Sequence, residues 1–123
     1  MSKKTLIIGA SLNPIRYSFK AANLLFEKGH SIELLGSKEG ILLGSKIFNY
    51  KTAPNFNDID TVTMYIGPTH QDIYFEYIIN VIRPQRVIFN PGTENPKFYQ
   101  KLTENGIQYL EACTLVLLQT NQY

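Results

Sequence analysis

Cysteine is nearly absent from this chain: among 123 residues Cys113 stands alone. A single cysteine excludes an internal disulfide framework, so the fold has to be held by a packed core. Charge of one sign is not concentrated anywhere either. Lys and Arg number 12 against 10 Asp and Glu, giving a formal net charge of +2, and only Lys3 and Lys4 are adjacent. A protein that grips DNA or RNA through phosphate neutralisation gathers its positive charge on one element, so no nucleic-acid partner is expected. Long apolar runs are missing: Leu6 to Gly9 is too short for a signal sequence or a membrane span. The expectation is a cytoplasmic protein with no membrane partner. No His, Cys, Asp and Glu set has metal-ligand spacing, and no internal repeat or low-complexity tract interrupts the chain.

What is present is an ordinary globular composition, 44% hydrophobic and 18% charged. At this length the reading is one domain over residues 1–123, with no room for a nucleotide domain plus a separate substrate domain. Leu6-Ile7-Ile8 is an apolar run of the kind a parallel strand shows when both its faces are covered. It stops in Gly9-Ala10-Ser11, and Asn13-Pro14 and Ser18 follow. Ser18 is placed to cap a helix of about three turns carrying Phe19, Ala22, Leu25 and Phe26 on one face; an earlier start at Asn13-Pro14 stays open. Gly29 ends that helix, and Ser31 to Leu35 reads as the second strand.

From Lys38 to Asp60 glycine, proline and asparagine break the pattern, and the segment reads as an irregular connection over the sheet edge, with Lys46-Ile47-Phe48 as a short strand candidate. Thr61 to Ile66 is the third strand. Thr69-His70-Gln71-Asp72 has the form of a capping box before a helix buried through Ile73, Tyr77, Ile78, Val81 and Ile82. Arg86 to Asn90 is the fourth strand, Asn95-Pro96 opens a helix packed through Phe98, Tyr99 and Leu102, and Ile107 to Leu110 is the fifth strand. Ala112 to Leu118 reads as either a last strand or a short helix. Strands and helices in this alternation predict an α/β fold: a single Rossmann-like, doubly wound domain whose mostly parallel five-stranded sheet has the order 2-1-3-4-5, with helices on both faces.

In such a sheet, ligands bind beyond the carboxyl ends of the strands, where the winding direction reverses. That rule gathers Gly9-Ala10-Ser11, Gly36-Ser37-Lys38, Gly67-Pro68, Asn90-Pro91-Gly92 and Cys113 on one rim. Unpaired amides at the start of the first helix suit a phosphate, and the planar fork of Arg16 can bind two of its oxygens. Where a plain NAD site places a carboxylate after the second strand, this chain has a serine and a lysine, a pairing that suits a phosphorylated ribose as in coenzyme A or NADP. Tyr17 is the aromatic expected against an adenine or ribose. His30, at a helix end, and His70, in a first turn, read as structural or solvent-facing. Cys113 has no His or Asn partner in the sequence, so no catalytic set is read.

The apolar strand running into Gly9-Ala10-Ser11, then Asn13-Pro14, Arg16 and Ser18, resembles the small stand-alone CoA-binding proteins, whose fold is shared with the nucleotide domain of succinyl-CoA synthetase alpha subunits. Leu43-Gly44-Ser45-Lys46-Ile47 and Cys113 extend the likeness along the chain. The resemblance implies that Gly9, Ala10, Ser11, Arg16 and Ser18 hold the pyrophosphate of CoA. It further implies that Gly36, Ser37 and Lys38 face the 3′-phosphorylated ribose and that Gly67 and Pro68 line the adenine or pantetheine side. The expected function is binding of coenzyme A or an acyl-CoA without catalysis of its own. Two alternatives remain open: an NADP-linked oxidoreductase or acyl-CoA ligase component completed by a partner subunit, and a protein-interaction module with a vestigial nucleotide pocket. A homo-oligomer is compatible with each.

Overall fold

A computed structural model describes residues 2–123. Seven strands form one sheet: β1 (Thr5–Ile8), β2 (Ile32–Leu35), β3 (Gly40–Leu42), β4 (Ser45–Phe48), β5 (Thr61–Met64), β6 (Arg86–Phe89) and β7 (Gln108–Glu111). Their order is β3-β4-β2-β1-β5-β6-β7. All neighbours are parallel except β3, which runs antiparallel to β4. The strands anticipated from sequence, β2-β1-β5-β6-β7, stand in the anticipated order, but the count of five is corrected to seven. The irregular connection instead supplies a hairpin that extends the sheet past β2. Its two-residue turn, Leu43-Gly44, has positive φ at both positions, the twist that tight hairpins require.

Successive residues of a strand face opposite sides, and β1 shows the result. Leu6 and Ile8 join Val62, Met64, Val87 and Phe89 on one face, and Ile7 joins Leu34 and Ile47 on the other. The first face is covered by the chain from Pro68 to Ile82 and by α2 (Pro96–Glu104) through Phe98, Tyr99 and Leu102. The second is covered by α1 (Tyr17–Glu27) through Ala22 and Leu25, and by α3 (Thr114–Gln119) through Leu118. The closing apolar stretch is therefore a short helix. Coverage of both faces by helices makes the domain doubly wound.

Several local expectations change. Ser18 does not cap α1; it lies inside the helix and is buried, while Arg16 occupies the capping position and makes no side-chain bond there. Phe26, expected in the core, is 48% exposed, and Ala21 is buried instead. The chain from Pro68 to Ile82 is not a regular α-helix: 3-10 turns at Pro68–His70 and Asp72–Tyr74 lead into a π-helix at Tyr77–Ile82. No capping box forms at Thr69–Asp72, and the change from tight to wide winding along the segment buries Tyr74, Phe75, Ile78 and Ile82 while leaving Ile73 and Val81 exposed. The Asn95 cap does form, its side chain accepting from the Phe98 amide at 3.3 Å with Pro96 in the first turn.

Candidate functional site

The carboxyl ends of β1, β2, β5, β6 and β7 share one rim because those strands are parallel. The first winding reverses between β2 and β5 on either side of β1. The turn after β1 therefore sits at the topological switch point. Gly9 has φ +99°, and a Cβ there would stand 3.0 Å from the Tyr65 backbone carbonyl carbon, so only glycine fits. The amides of Gly9 and Ala10 both donate to the Leu35 carbonyl, at 2.9 and 2.8 Å. This corrects the expectation that they face a phosphate: they stitch the turn to the end of β2.

Past Ala10 the chain holds its shape with its own polar atoms. The Asn13 amide donates to Ser11 Oγ at 3.0 Å, the Ile15 amide to Asn13 Oδ1 at 3.2 Å, and the Arg16 amide to the Asn13 carbonyl at 3.0 Å. Pro14 has no amide hydrogen to place. What these bonds leave over is specific. Among the described residues, the amides of Ser11, Leu12, Tyr17 and Ser18 have no protein acceptor. The last two open α1, an eleven-residue helix with neither a side-chain cap nor an acidic residue in its first turn. Arg16 is exposed and pairs with no carboxylate among the described residues.

Tyr17 is 67% exposed, with Lys20 Nζ 5.2 Å from its ring centroid. Sequence reasoning missed Lys20; its place one turn along from Arg16, on the same helix end, was the available signal. Beyond β2, Ser37 and Lys38 are exposed on the rim and Gly36 is buried beneath the first turn. The nearby carboxylate of Glu39 is engaged, accepting from Asn49 Nδ2 at 3.2 Å and from Thr52 Oγ1 at 3.1 Å.

The opposite half of the rim is built differently. Asn90 is 3% exposed: its amide nitrogen donates to Thr63 Oγ1 and the Met64 carbonyl, and its Oδ1 accepts from the Thr114 amide, each at 2.8 Å. Every polar group of that side chain is spent on joining β5, β6 and α3. Asn90 is therefore withdrawn from the ligand set as a contact and kept as a brace. Gly92 gives its amide to Glu94 Oε1 at 2.9 Å, and Pro91, Gly67 and Pro68 lie at or near the surface of the same rim. Gln71, which the sequence did not single out, is fully buried and donates to the carbonyls of Ile66 and Thr93 while accepting from Asn95 Nδ2. Cys113 is half-buried at the start of α3. Beside it, Tyr65 has a buried hydroxyl without a partner among the described residues, and burial pushes this phenol up to about 12. His70 is exposed, and His30 lies at the other end of the sheet, so neither joins this turn.

Among the described residues no group of His, Cys, Asp and Glu is arranged to hold a metal ion, and no helix is long and apolar enough to cross a membrane. The chain matches a family model described as a CoA binding domain over residues 3–119. It belongs to this CoA-binding domain family. A solved structure of an uncharacterised protein is 43% identical, with TM-score 0.94 over 100% of this chain and 99% of that one. A hypothetical protein from Pyrococcus horikoshii, 24% identical over 97% of this chain and 83% of that one, has TM-score 0.84. A Thermus thermophilus structure, 18% identical over 99% of this chain and 91% of that one, has TM-score 0.81. These last two carry the fold alone. No curated protein matches the chain. The unpaired amides and the free guanidinium at the switch point are groups of the kind that bind an anion.

Proposed function

We propose that this chain is a cytoplasmic binding protein for coenzyme A or an acyl-CoA, held by the turn after β1 and the start of α1. The observation that carries the reading is the set of unpaired amides at Ser11, Leu12, Tyr17 and Ser18 beside the free Arg16. A diphosphate offers acceptor oxygens to those amides and charge to Arg16, and the uncapped helix end adds its positive dipole. Lys20 reinforces the charge, and the exposed face of Tyr17 suits a flat base. Lys38 and Ser37 are assigned to the phosphate on the ribose. Glu39, the carboxylate nearest to where a plain ribose would be recognised, is committed to Asn49 and Thr52. That favours a phosphorylated ribose over NAD.

Binding rather than turnover is proposed because the residues around the turn supply anion recognition but no nucleophile and base within reach of one another. Calorimetric titration with CoA, acetyl-CoA, NADP and NAD tests the reading. Saturable heat with CoA and acetyl-CoA, weaker heat with NADP and none with NAD is the expected order. An equal response to NAD and CoA would contradict the assignment of Lys38, and no response to any CoA species would contradict the function itself.

A further inference from the structure

We propose that the free edge of β7 pairs with the β7 of a second copy of this chain, antiparallel about a two-fold axis at Leu110. The strand offers an unbroken edge whose one charged residue is Glu111. It pairs with β6 through all four residues from Gln108 to Glu111 without a bulge, and it contains no lysine and no proline. These are the devices by which edge strands ordinarily repel a neighbour. The opposite edge offers less to pair with, since β3 is three residues long where β7 has four.

The edge also fixes the register. The amides of Gln108 and Ala112 point inward, donating to the carbonyls of Gln85 and Phe89. By alternation, the amide and carbonyl groups of Tyr109 and Glu111 point outward. An antiparallel partner can meet them in three symmetric ways. Centring on Glu111 sets two carboxylates directly opposite, which is repulsive. Centring on Tyr109 sets Glu111 against Ile107, whose amide is already given to the Leu102 carbonyl. Centring on Leu110 lets Tyr109 exchange both hydrogen bonds with the partner's Glu111, and Glu111 both with the partner's Tyr109. It brings the two Leu110 side chains together as the close, non-hydrogen-bonded pair.

The side chains agree with that choice. Tyr109 is 40% exposed and stacks on Tyr99 at 4.1 Å, and the Tyr99 hydroxyl holds Glu111 Oε2 at 2.8 Å. A partner's Tyr109 would therefore pack beside an already oriented, hydrogen-bonded carboxylate. The edge is flanked by a groove of about 650 Å³ lined by Arg86, Thr103, Ile107, Gln108, Tyr109 and Leu110, and half-buried Leu110 is available there to its symmetry mate. β7 lies at the end of the sheet, away from β1, so the anion-binding turn stays open in the dimer.

Crosslinking and sedimentation test the pairing. In a Cys113→Ser background, Leu110→Cys is expected to oxidise to a covalent dimer in high yield, because a non-hydrogen-bonded antiparallel pair has Cα atoms about 4.5 Å apart, within disulfide reach. Gln108→Cys is expected to stay monomeric under the same conditions. By sedimentation equilibrium the unaltered protein is expected to dimerise with rising concentration. Leu110→Glu and Leu110→Lys should each weaken association at least tenfold, and their equimolar mixture should restore it, with circular dichroism checking that both fold. A protein that stays monomeric at near-millimolar concentration, or a Leu110→Glu variant that dimerises unchanged, would overturn the proposal. So would equal crosslinking through positions 108 and 110.

Discussion

The carbonyl oxygen of Ala10 lies 2.3 Å from the place a Cβ on Gly36 would occupy. The two residues end neighbouring strands, and the turn after β1 rests directly on the backbone at the end of β2. Ile47 on β4 closes the same space at 3.1 Å. Gly36→Ala is therefore expected to lower stability by about 1–3 kcal/mol, as overpacking does, since the contact is with backbone and cannot rotate away. Urea denaturation measures this. An unchanged midpoint would mean that the turn is not seated on Gly36.

Arg16 is a contrasting case, because among the described residues its exposed side chain makes no hydrogen bond or ion pair. Arg16→Ala should leave the unfolding midpoint unchanged and weaken CoA binding by about 1.5–3 kcal/mol, the worth of a charge-assisted hydrogen bond. Paired calorimetry and denaturation distinguish the two effects. Loss of stability without loss of affinity would make Arg16 a structural residue.

Asn90 should behave in the opposite way. Asn90→Ala strands the Thr114 amide and takes a donor from both Thr63 Oγ1 and the Met64 carbonyl, all in the interior. The expected loss is about 1–3 kcal/mol of stability, read by chemical denaturation. A variant as stable as the parent would show that Asn90 is not the brace between β5, β6 and α3.

The strands and the turn at the switch point were legible because they depend on local signals: apolar runs, a glycine at a forced conformation, and Asn95-Pro96 at a helix start. The hairpin of β3 and β4 was legible only in part: Lys46-Ile47-Phe48 reads as a strand and lies in β4, but its partner β3 and the pairing do not show. Its strands are short, its turn places Leu43 where Asn or Asp is usual, and Gly40 is in a strand because Leu12 crosses it. The π-helix was hidden for a related reason, since a 3.6-residue period assigns Ile73 and Val81 to the core, whereas a tighter 3-10 turn carries Ile73 outward and the wider π winding carries Val81 outward. At the site, chain position identified the turn but not which amides were free. That depended on the Leu35 carbonyl taking two of them, a contact between neighbouring strands distant in sequence that no local pattern encodes.

At the far end of the sheet, His30 Nδ1 accepts the Lys3 amide at 2.9 Å while its ring meets Tyr123 edge-on. Burial first, and then the positive charge of neighbours including Lys3, Arg86 and Lys28, holds this imidazole below its ordinary value of 6.5. Below that value the unfolded chain binds a proton that the folded one resists, so this contribution to stability is complete above about 6.5 and is lost as the pH falls beneath it. Urea midpoints between mildly acidic and neutral pH should rise with pH, and His30→Gln should flatten the part of that rise due to His30. Identical slopes in both proteins would exclude His30 as a source.

The most direct test of the account is a titration of CoA followed by amide nitrogen–proton NMR. The largest saturable shifts are predicted at Ser11, Leu12, Tyr17 and Ser18, with smaller ones at Gly9 and Ala10, whose hydrogens already bond Leu35. Saturable binding that leaves those four amides unmoved and shifts residues at the other end of the sheet would contradict it.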